Sequence, residues 1–277
     1  MARKNRRGCV PWILGLMLLA VWLDNGEDDW TGAPGVEAEQ FDPRSPRRPM
    51  PQLPGESFLI EDSGPQQDSQ GTAFAIDSDG VWMTAEHVTH DCDRLGIVRD
   101  GEVELVGRVL ESSEADAALV RDGPRSAIIL PIAPDAPENG EYGYHMGFPG
   151  GSPAVVLSRF MGAASARRGA RGDQYEPIFA WAEEGRSPPS SGSLGGISGG
   201  PTLDQAGRVI GINSASTPRR GRVLTTDPSA MLRLVAASRD VDETATPVAL
   251  PGMQDAVQRF RALVASGVIR QVYCDVQ

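Results

Sequence analysis

The sequence predicts an all-β fold, a sandwich or a barrel, with helices reserved for its C-terminal part. Three observations lead there. From Glu56 to Ile132 short apolar runs recur with turn residues between them, as regularly spaced strands require. Gly71-Thr72-Ala73-Phe74-Ala75-Ile76 and Val81-Trp82-Met83-Thr84 flank an Asp79-Gly80 pair, the signature of a strand, a tight turn and a second strand. Helical periodicity is confined to the residues after Thr226.

Taken in order, the chain begins with Arg3, Lys4, Arg6 and Arg7, followed by an apolar run from Cys9 to Leu23 broken only by Pro11 and Gly15. Basic residues before an apolar run form an export signal, and the charge bias keeps this end in the cytoplasm. The run is short for a membrane span of about 17–25 residues. No small-x-small cleavage site follows Leu23, because the chain goes directly to Asp24-Asn25-Gly26-Glu27-Asp28-Asp29. Residues 1–23 are therefore read as an N-terminal apolar anchor helix, with a cleaved signal peptide and secretion as the alternative. Anchoring by residues 9–23 would leave the rest of the chain outside the cytoplasm, at the inner membrane of a periplasm. Residues 24–55 are acidic and then proline-rich, too poor in apolar surface to offset the entropy of ordering, and read as a linker.

Residues 56–277 form the folded domain. Strands are predicted at 58–60, 72–76, 81–84, 95–98, 103–110, 117–120 and 127–132, then at 142–148, 154–161, 178–181 and 208–213. Between Glu183 and Leu194 runs a polar loop, Glu184-Gly185-Arg186-Ser187-Pro188-Pro189-Ser190-Ser191-Gly192-Ser193. Asp227-Pro228-Ser229 has the cap-then-proline start of a helix over Ala230–Ala236. Met253, Ala256, Val257, Phe260, Leu263 and Val264 share one face of another helix, and Val268–Val276 is a last strand. Both helices are expected to pack on the second half of the β domain. The net charge of −11 excludes a nucleic-acid surface or a polybasic membrane patch.

The chemistry centres on Gly195-Gly196-Ile197-Ser198-Gly199-Gly200-Pro201. Glycine gives up more backbone freedom on folding than any other residue, so two glycine pairs around one serine imply a path that side chains would block. Such a path exposes the hydroxyl while neighbouring backbone N–H groups converge where a tetrahedral oxyanion would form. A histidine, His87, follows the second strand, and Asp116 opens the apolar run Ala117-Ala118-Leu119-Val120.

Thr84-Ala85-Glu86-His87, Asp116-Ala117-Ala118-Leu119 and Gly196-Ile197-Ser198-Gly199-Gly200-Pro201, in that order, resemble the trypsin-like (chymotrypsin-fold) serine proteases. The strand–turn–strand before His87 is most similar to the bacterial Deg/HtrA-type branch, and the resemblance runs from about Gly71 to Ser216. It implies two six-stranded antiparallel β-barrels, with His87 and Asp116 in the first and Ser198 in the second. It implies a serine endopeptidase acting on polypeptides through an acyl-enzyme, with no cofactor and no metal. Ser198 would be the nucleophile, His87 the general base and acid, Asp116 the group that orients the imidazole, and the N–H groups of Gly196 and Ser198 the oxyanion hole. The primary specificity pocket would be based at Gly192, with walls from Ser193 and Leu194 and from Ser214-Ala215-Ser216. Gly192 offers no acid to a basic side chain, so cleavage is expected after small or medium apolar residues. No appended peptide-binding domain is expected in the residues left after Ser216.

Rival assignments exist for each role. His90 lies outside the Thr-Ala-x-His pattern and His145 falls within a strand; Asp91, Asp93 and Asp100 precede no apolar strand. His87, His90, Asp91, Cys92 and Asp93 crowd together in the manner of metal ligands, but few further His or Cys ligands are left. A second function remains open, a protease fold that holds peptides without turnover. In trypsin-type zymogens the residue before the serine is an Asp that pairs with a new N-terminus; Ile197 cannot, which leaves open what holds the oxyanion loop. Export leads to an oxidising compartment, and with Cys9 inside the apolar run, Cys92 and Cys274 are the pair expected to form a disulfide, two buried thiols being the alternative.

Overall fold

The computed structural model describes residue 50 and residues 57–60, 68–168, 175–217, 221–238 and 245–276. The predicted anchor helix over 1–23 and, Met50 apart, the predicted linker over 24–55 lie outside the described residues. Among the described residues no helix is long and apolar enough to cross a membrane.

Strands β1 (Ser57–Ile60), β2 (Ser69–Ala75) and β3 (Trp82–Thr84) open the domain, and a single helical turn α1 (Glu86–Thr89) follows β3. The predicted hairpin between β2 and β3 is present: Ile76 N–H donates to Val81 O, and Asp77 Oδ1 accepts from Asp79 N–H inside the turn. Next come β4 (Arg94–Arg99), β5 (Glu102–Leu105), β6 (Arg108–Glu111) and β7 (Ala118–Arg121). The second half holds β8 (Tyr142–Gly147), β9 (Ala154–Arg168), β10 (Tyr175–Ser187), β11 (Pro201–Leu203), β12 (Val209–Thr217) and β13 (Arg222–Thr226). Helices α2 (Pro228–Ser238) and α3 (Met253–Ala265) lead to a final strand, β14 (Ile269–Asp275).

The second sheet closes. Its order is β9-β10-β13-β12-β11-β8, and β8 pairs with β9 in an antiparallel register that includes His145↔Val156, making a six-stranded barrel. The first sheet is a curled half-barrel with no ladder between β5 and β6, where a second six-stranded barrel was expected. It runs β5-β4-β14-β2-β3-β7-β6 and leaves β5 and β6 as opposite edges. The predicted 103–110 strand is divided into β5 and β6 at one dipeptide. Val106 N–H bonds Leu95 O on the β4 side, and Gly107 N–H bonds Arg121 O on the β7 side, so the sheet curls until its two edges come together at this one stretch of chain. The C-terminal strand β14 supplies its interior, between β2 and β4.

The predicted strand 58–60 is present as β1, parallel to β9 on the second sheet, with Phe58 buried against Ala166, Ile178 and Leu224. Two further expectations change. The predicted 127–132 strand is reduced to one bridge, Ile132 to Val209. The helices do not pack on the second barrel alone: α2 lies against β12 and β7, and α3 against β8, β9 and β14. The physical reason is a shared core, in which Phe74, Trp82, Met83 and Leu119 of the first sheet join Met146, Leu203, Met231, Phe260 and Leu263. A separate cluster of Phe160, Phe179, Trp181, Leu194, Ile197, Ile210 and Val223 fills the barrel.

Candidate active site

His87, Asp116 and Ser198 arrive from three different elements. The α1 turn after β3 carries His87, the loop entering β7 carries Asp116, and the turn between β10 and β11 carries Ser198. Asp116 is 1% exposed and its carboxylate receives three donors. His87 Nδ1 lies 2.9 Å from Oδ1 and 2.8 Å from Oδ2, the His87 backbone N–H donates to Oδ1 at 3.0 Å, and Ser214 Oγ donates to Oδ2 at 2.6 Å. A carboxylate accepts, so Nδ1 carries the proton and Nε2 is left with a lone pair. The ring and the backbone of the same residue are gripped by one carboxylate, which fixes the imidazole plane.

Ser214 links this pair to the serine. Its carbonyl lies 3.5 Å from Ser198 Oγ, the outer limit of a hydrogen bond. Among the described residues Ser198 Oγ makes no hydrogen bond to His87. Ser198 is half-buried, and turning one side chain between staggered positions would redirect its hydroxyl. The Ser198 carbonyl accepts from Thr72 N–H at 2.8 Å, which seats this turn against the first sheet.

The glycines take the strained backbone that the sequence implied. Gly196 has φ +100°, Gly195 is not in the positive-φ region, and Ile197 N–H donates to Leu194 O at 3.0 Å. These values define a type II turn over 194–197 with Gly196 at its third position. A Cβ at Gly196 would meet Phe148 O at 2.5 Å, and one at Gly199 (φ +84°) would meet Thr84 Oγ1 at 2.1 Å. Gly150 N–H donates to Gly195 O at 2.8 Å. In a trans peptide N–H and C=O point in opposite directions, so this bond turns Gly196 N–H away from the 149–151 turn. Among the described residues the N–H groups of Gly196 and Ser198 have no acceptor.

The residues assigned to the specificity pocket separate. Ser214 is buried, Ala215 and Ser216 are half-buried, Gly192 and Ser193 are exposed, and Leu194 belongs to the barrel core. Ser216 pairs with Val223, itself fully buried. Arg186 was not picked out by sequence reasoning, which placed it in a polar loop. It lies instead in the extension of β10, paired with Glu183, and its Nη1 donates to Gly192 O at 2.6 Å. Its side chain is only 8% exposed. Asp227 turns to the start of α2, where Oδ1 accepts from Ser229 N–H.

The remaining candidates fall elsewhere. His145 is fully buried in the barrel, its Nδ1 2.8 Å from Asn213 Oδ1 and from Thr202 Oγ1 and its Nε2 bonded to Ser158 Oγ. Burial lowers its pKa to about 4. His90 is half-exposed beside Glu111, whose hydrogen bond raises its pKa. The crowded residues 87–93 do not converge on one point, because His87 turns to Asp116 and Cys92 is bonded to Cys274. That disulfide joins residues whose Cα atoms are 5.4 Å apart and which are separated by 182 positions. Thr72 was read only as part of a strand; its hydroxyl reaches the Gly196 carbonyl at 2.8 Å.

The trypsin-like peptidase domain family matches residues 71–212, just over half of the chain. A protein of Ectopseudomonas mendocina described as a probable periplasmic serine endoprotease, DegP-like, is 30% identical over 210 residues, 71% of this chain and 38% of that protein. The putative serine protease HhoA of Synechocystis is 29% identical over 170 residues, 58% of this chain and 40% of HhoA. The chain thus spans well under half the length of these relatives. The M. tuberculosis protease Rv3671c in its active form has a TM-score of 0.50 over 66% of this chain and 77% of that one, at 19% identity, a likeness of fold.

Proposed function

The chain belongs to the trypsin-like peptidase family, and on that premise we propose that it is a serine endopeptidase whose triad is His87, Asp116 and Ser198. The observation that carries this reading is the grip of Asp116 on both the ring and the backbone of His87, joined through Ser214 to Ser198. A serine hydroxyl is a weak nucleophile at neutral pH and needs a base beside it. His87 Nε2 takes the Ser198 proton as Oγ attacks the carbonyl carbon of a peptide bond. The carbonyl oxygen gains the electron pair and becomes an oxyanion facing the N–H groups of Gly196 and Ser198. Each such donor contributes about 3–4 kcal/mol of transition-state stabilisation. The intermediate collapses to an acyl-enzyme as His87 returns the proton to the leaving amine. Water then repeats the sequence and frees Ser198.

The substrate is an extended polypeptide cut after a small or medium apolar residue. In support, Arg186 already neutralises Glu183 beside Gly192, Asp227 is engaged at α2, and Val223 lies against Ser216. The basic and apolar N-terminal residues, together with relatives described as periplasmic, support export, with residues 9–23 as signal or anchor.

Ser198→Ala tests the reading. It should abolish hydrolysis of an unfolded protein and covalent labelling by a fluorophosphonate, and Asp116→Asn should lower the rate by about 10⁴-fold with the fold intact. Unlabelled wild-type protein that still captures peptides would instead identify a binding module.

A further inference from the structure

Two glycines in succession make the oxyanion turn easy to form and equally easy to lose. Turning the Gly195–Gly196 peptide over changes only the backbone angles on either side of it, and glycine opposes neither change. The turned peptide would aim Gly195 O, instead of Gly196 N–H, at the developing charge. A restraint must therefore come from outside the turn. Ile197 supplies no charged anchor, since its side chain is buried in the barrel core.

The contacts around Thr72 supply the restraint. Thr72 is wholly buried on β2, in the other sheet from the turn it touches. Its Oγ1 donates to Gly196 O at 2.8 Å and accepts from Phe148 N–H at 3.2 Å. Its own N–H holds Ser198 O at 2.8 Å, and its carbonyl accepts from Thr84 Oγ1 at 2.8 Å. One hydroxyl thus ties the 194–197 turn to the chain just before the 149–151 turn. The latter provides Gly150 N–H, the donor that sets the direction of the Gly195–Gly196 peptide. Thr84, one position before the N-cap of the His87 turn, completes the connection to the base.

We infer that Thr72 is a positioning residue for the oxyanion hole, keeping Gly196 N–H directed at the substrate without a cleaved N-terminus. This rests on the endopeptidase reading for its catalytic consequence, but not for its structural one. A methyl group in place of the hydroxyl leaves Gly196 O without its donor and Phe148 N–H without its acceptor, so both turns that the Gly150 N–H to Gly195 O bond joins lose a tether and that bond is weakened. A residue that merely filled space would tolerate that exchange.

Thr72→Val and Thr72→Ser in the full-length chain separate the two roles. With a fluorogenic peptide carrying Val before the scissile bond, Thr72→Val should lower kcat by about 10²-fold and leave KM within about twofold, the loss expected of one oxyanion donor. Thr72→Ser, which keeps the hydroxyl, should restore kcat to within a small factor of wild type. Amide hydrogen exchange across residues 193–199 should quicken in Thr72→Val and not in Thr72→Ser, while strand β10 keeps its protection. Wild-type kcat and exchange in Thr72→Val, or a serine variant as impaired as the valine one, would overturn the inference. Should Thr72→Val not fold, Thr72→Ala is read in the same way. If the wild-type chain neither hydrolyses peptide nor labels with fluorophosphonate, the endopeptidase reading falls, and the exchange comparison still decides the role of Thr72.

Discussion

Ser214 Oγ donates to Asp116 Oδ2 at 2.6 Å, while the carbonyl of the same Ser214 faces Ser198 Oγ at 3.5 Å. A β12 residue of the second barrel therefore completes the surroundings of a first-sheet carboxylate. Ser214→Ala removes one of three donors from Asp116 and loosens the imidazole it holds. A hydrogen bond to a charged group is worth about 1.5–3 kcal/mol, so kcat should fall roughly tenfold or more with KM little changed. Steady-state kinetics on one peptide check this; an unchanged kcat would show that His87 alone orients Asp116.

Cleavage specificity offers a second test. Of two peptides identical but for Val or Arg before the scissile bond, the Val peptide should be cut faster. Bringing a second cation beside Arg186 without a free acid costs several kcal/mol if the site is dry. Arg186→Met would leave Glu183 without its partner and should raise the relative kcat/KM for the Arg peptide. Faster cleavage of the Arg peptide by the wild-type chain would refute the apolar assignment.

Acid should weaken the fold through His145. Its pKa is lowered by burial from the ordinary 6.5 to about 4, so between those values the unfolded chain binds a proton that the folded one does not. Stability therefore falls as pH drops from about 6.5 towards 4, by on the order of 3 kcal/mol in total, and is unaffected by this group above that window. Urea midpoints at pH 7 and pH 4.5 measure the loss. His145→Gln, though less stable at pH 7, should show a shallower fall.

The Cys92–Cys274 disulfide closes a loop of 182 residues. Chain-entropy reasoning gives up to about 5 kcal/mol for a loop of that length, with measured values commonly about 2–4. Cys274→Ala should lower the melting temperature clearly, and dithiothreitol should lower that of the wild type by a similar amount and leave the variant unmoved. Two titratable thiols in denatured, unreduced protein from residues 92 and 274 would exclude the bond.

The candidate triad was legible because each member stands in a short motif whose meaning is local. His87 ends a hairpin, Asp116 opens a strand, and Ser198 sits among glycines that only a turn with positive φ needs. What could not be read is whatever depends on distant pairing. Nothing around Val106-Gly107 announces that one predicted strand divides between β4 and β7, and nothing in Ile269–Asp275 names Phe74 and Ile97 as its neighbours. Arg186 escaped notice because the signal for the β10 extension, pairing of Arg186 with Val156, lies on another strand. Thr72 escaped for the same reason: its partners Phe148 and Gly196 are 76 and 124 positions away.

The position of β14 has a consequence for the order of events during synthesis. It lies between β2 and β4, pairing Ile269 with Phe74 and Val272 with Ile97, so the sheet that carries His87 and Asp116 has a gap until these late residues emerge. Pairings between such distant residues form slowly, because a long loop must close before any contact rewards it. Until then β2 and β4 present unpaired edges to any other extended chain. A molecule in which β14 has not yet docked is thus open to self-association along both edges.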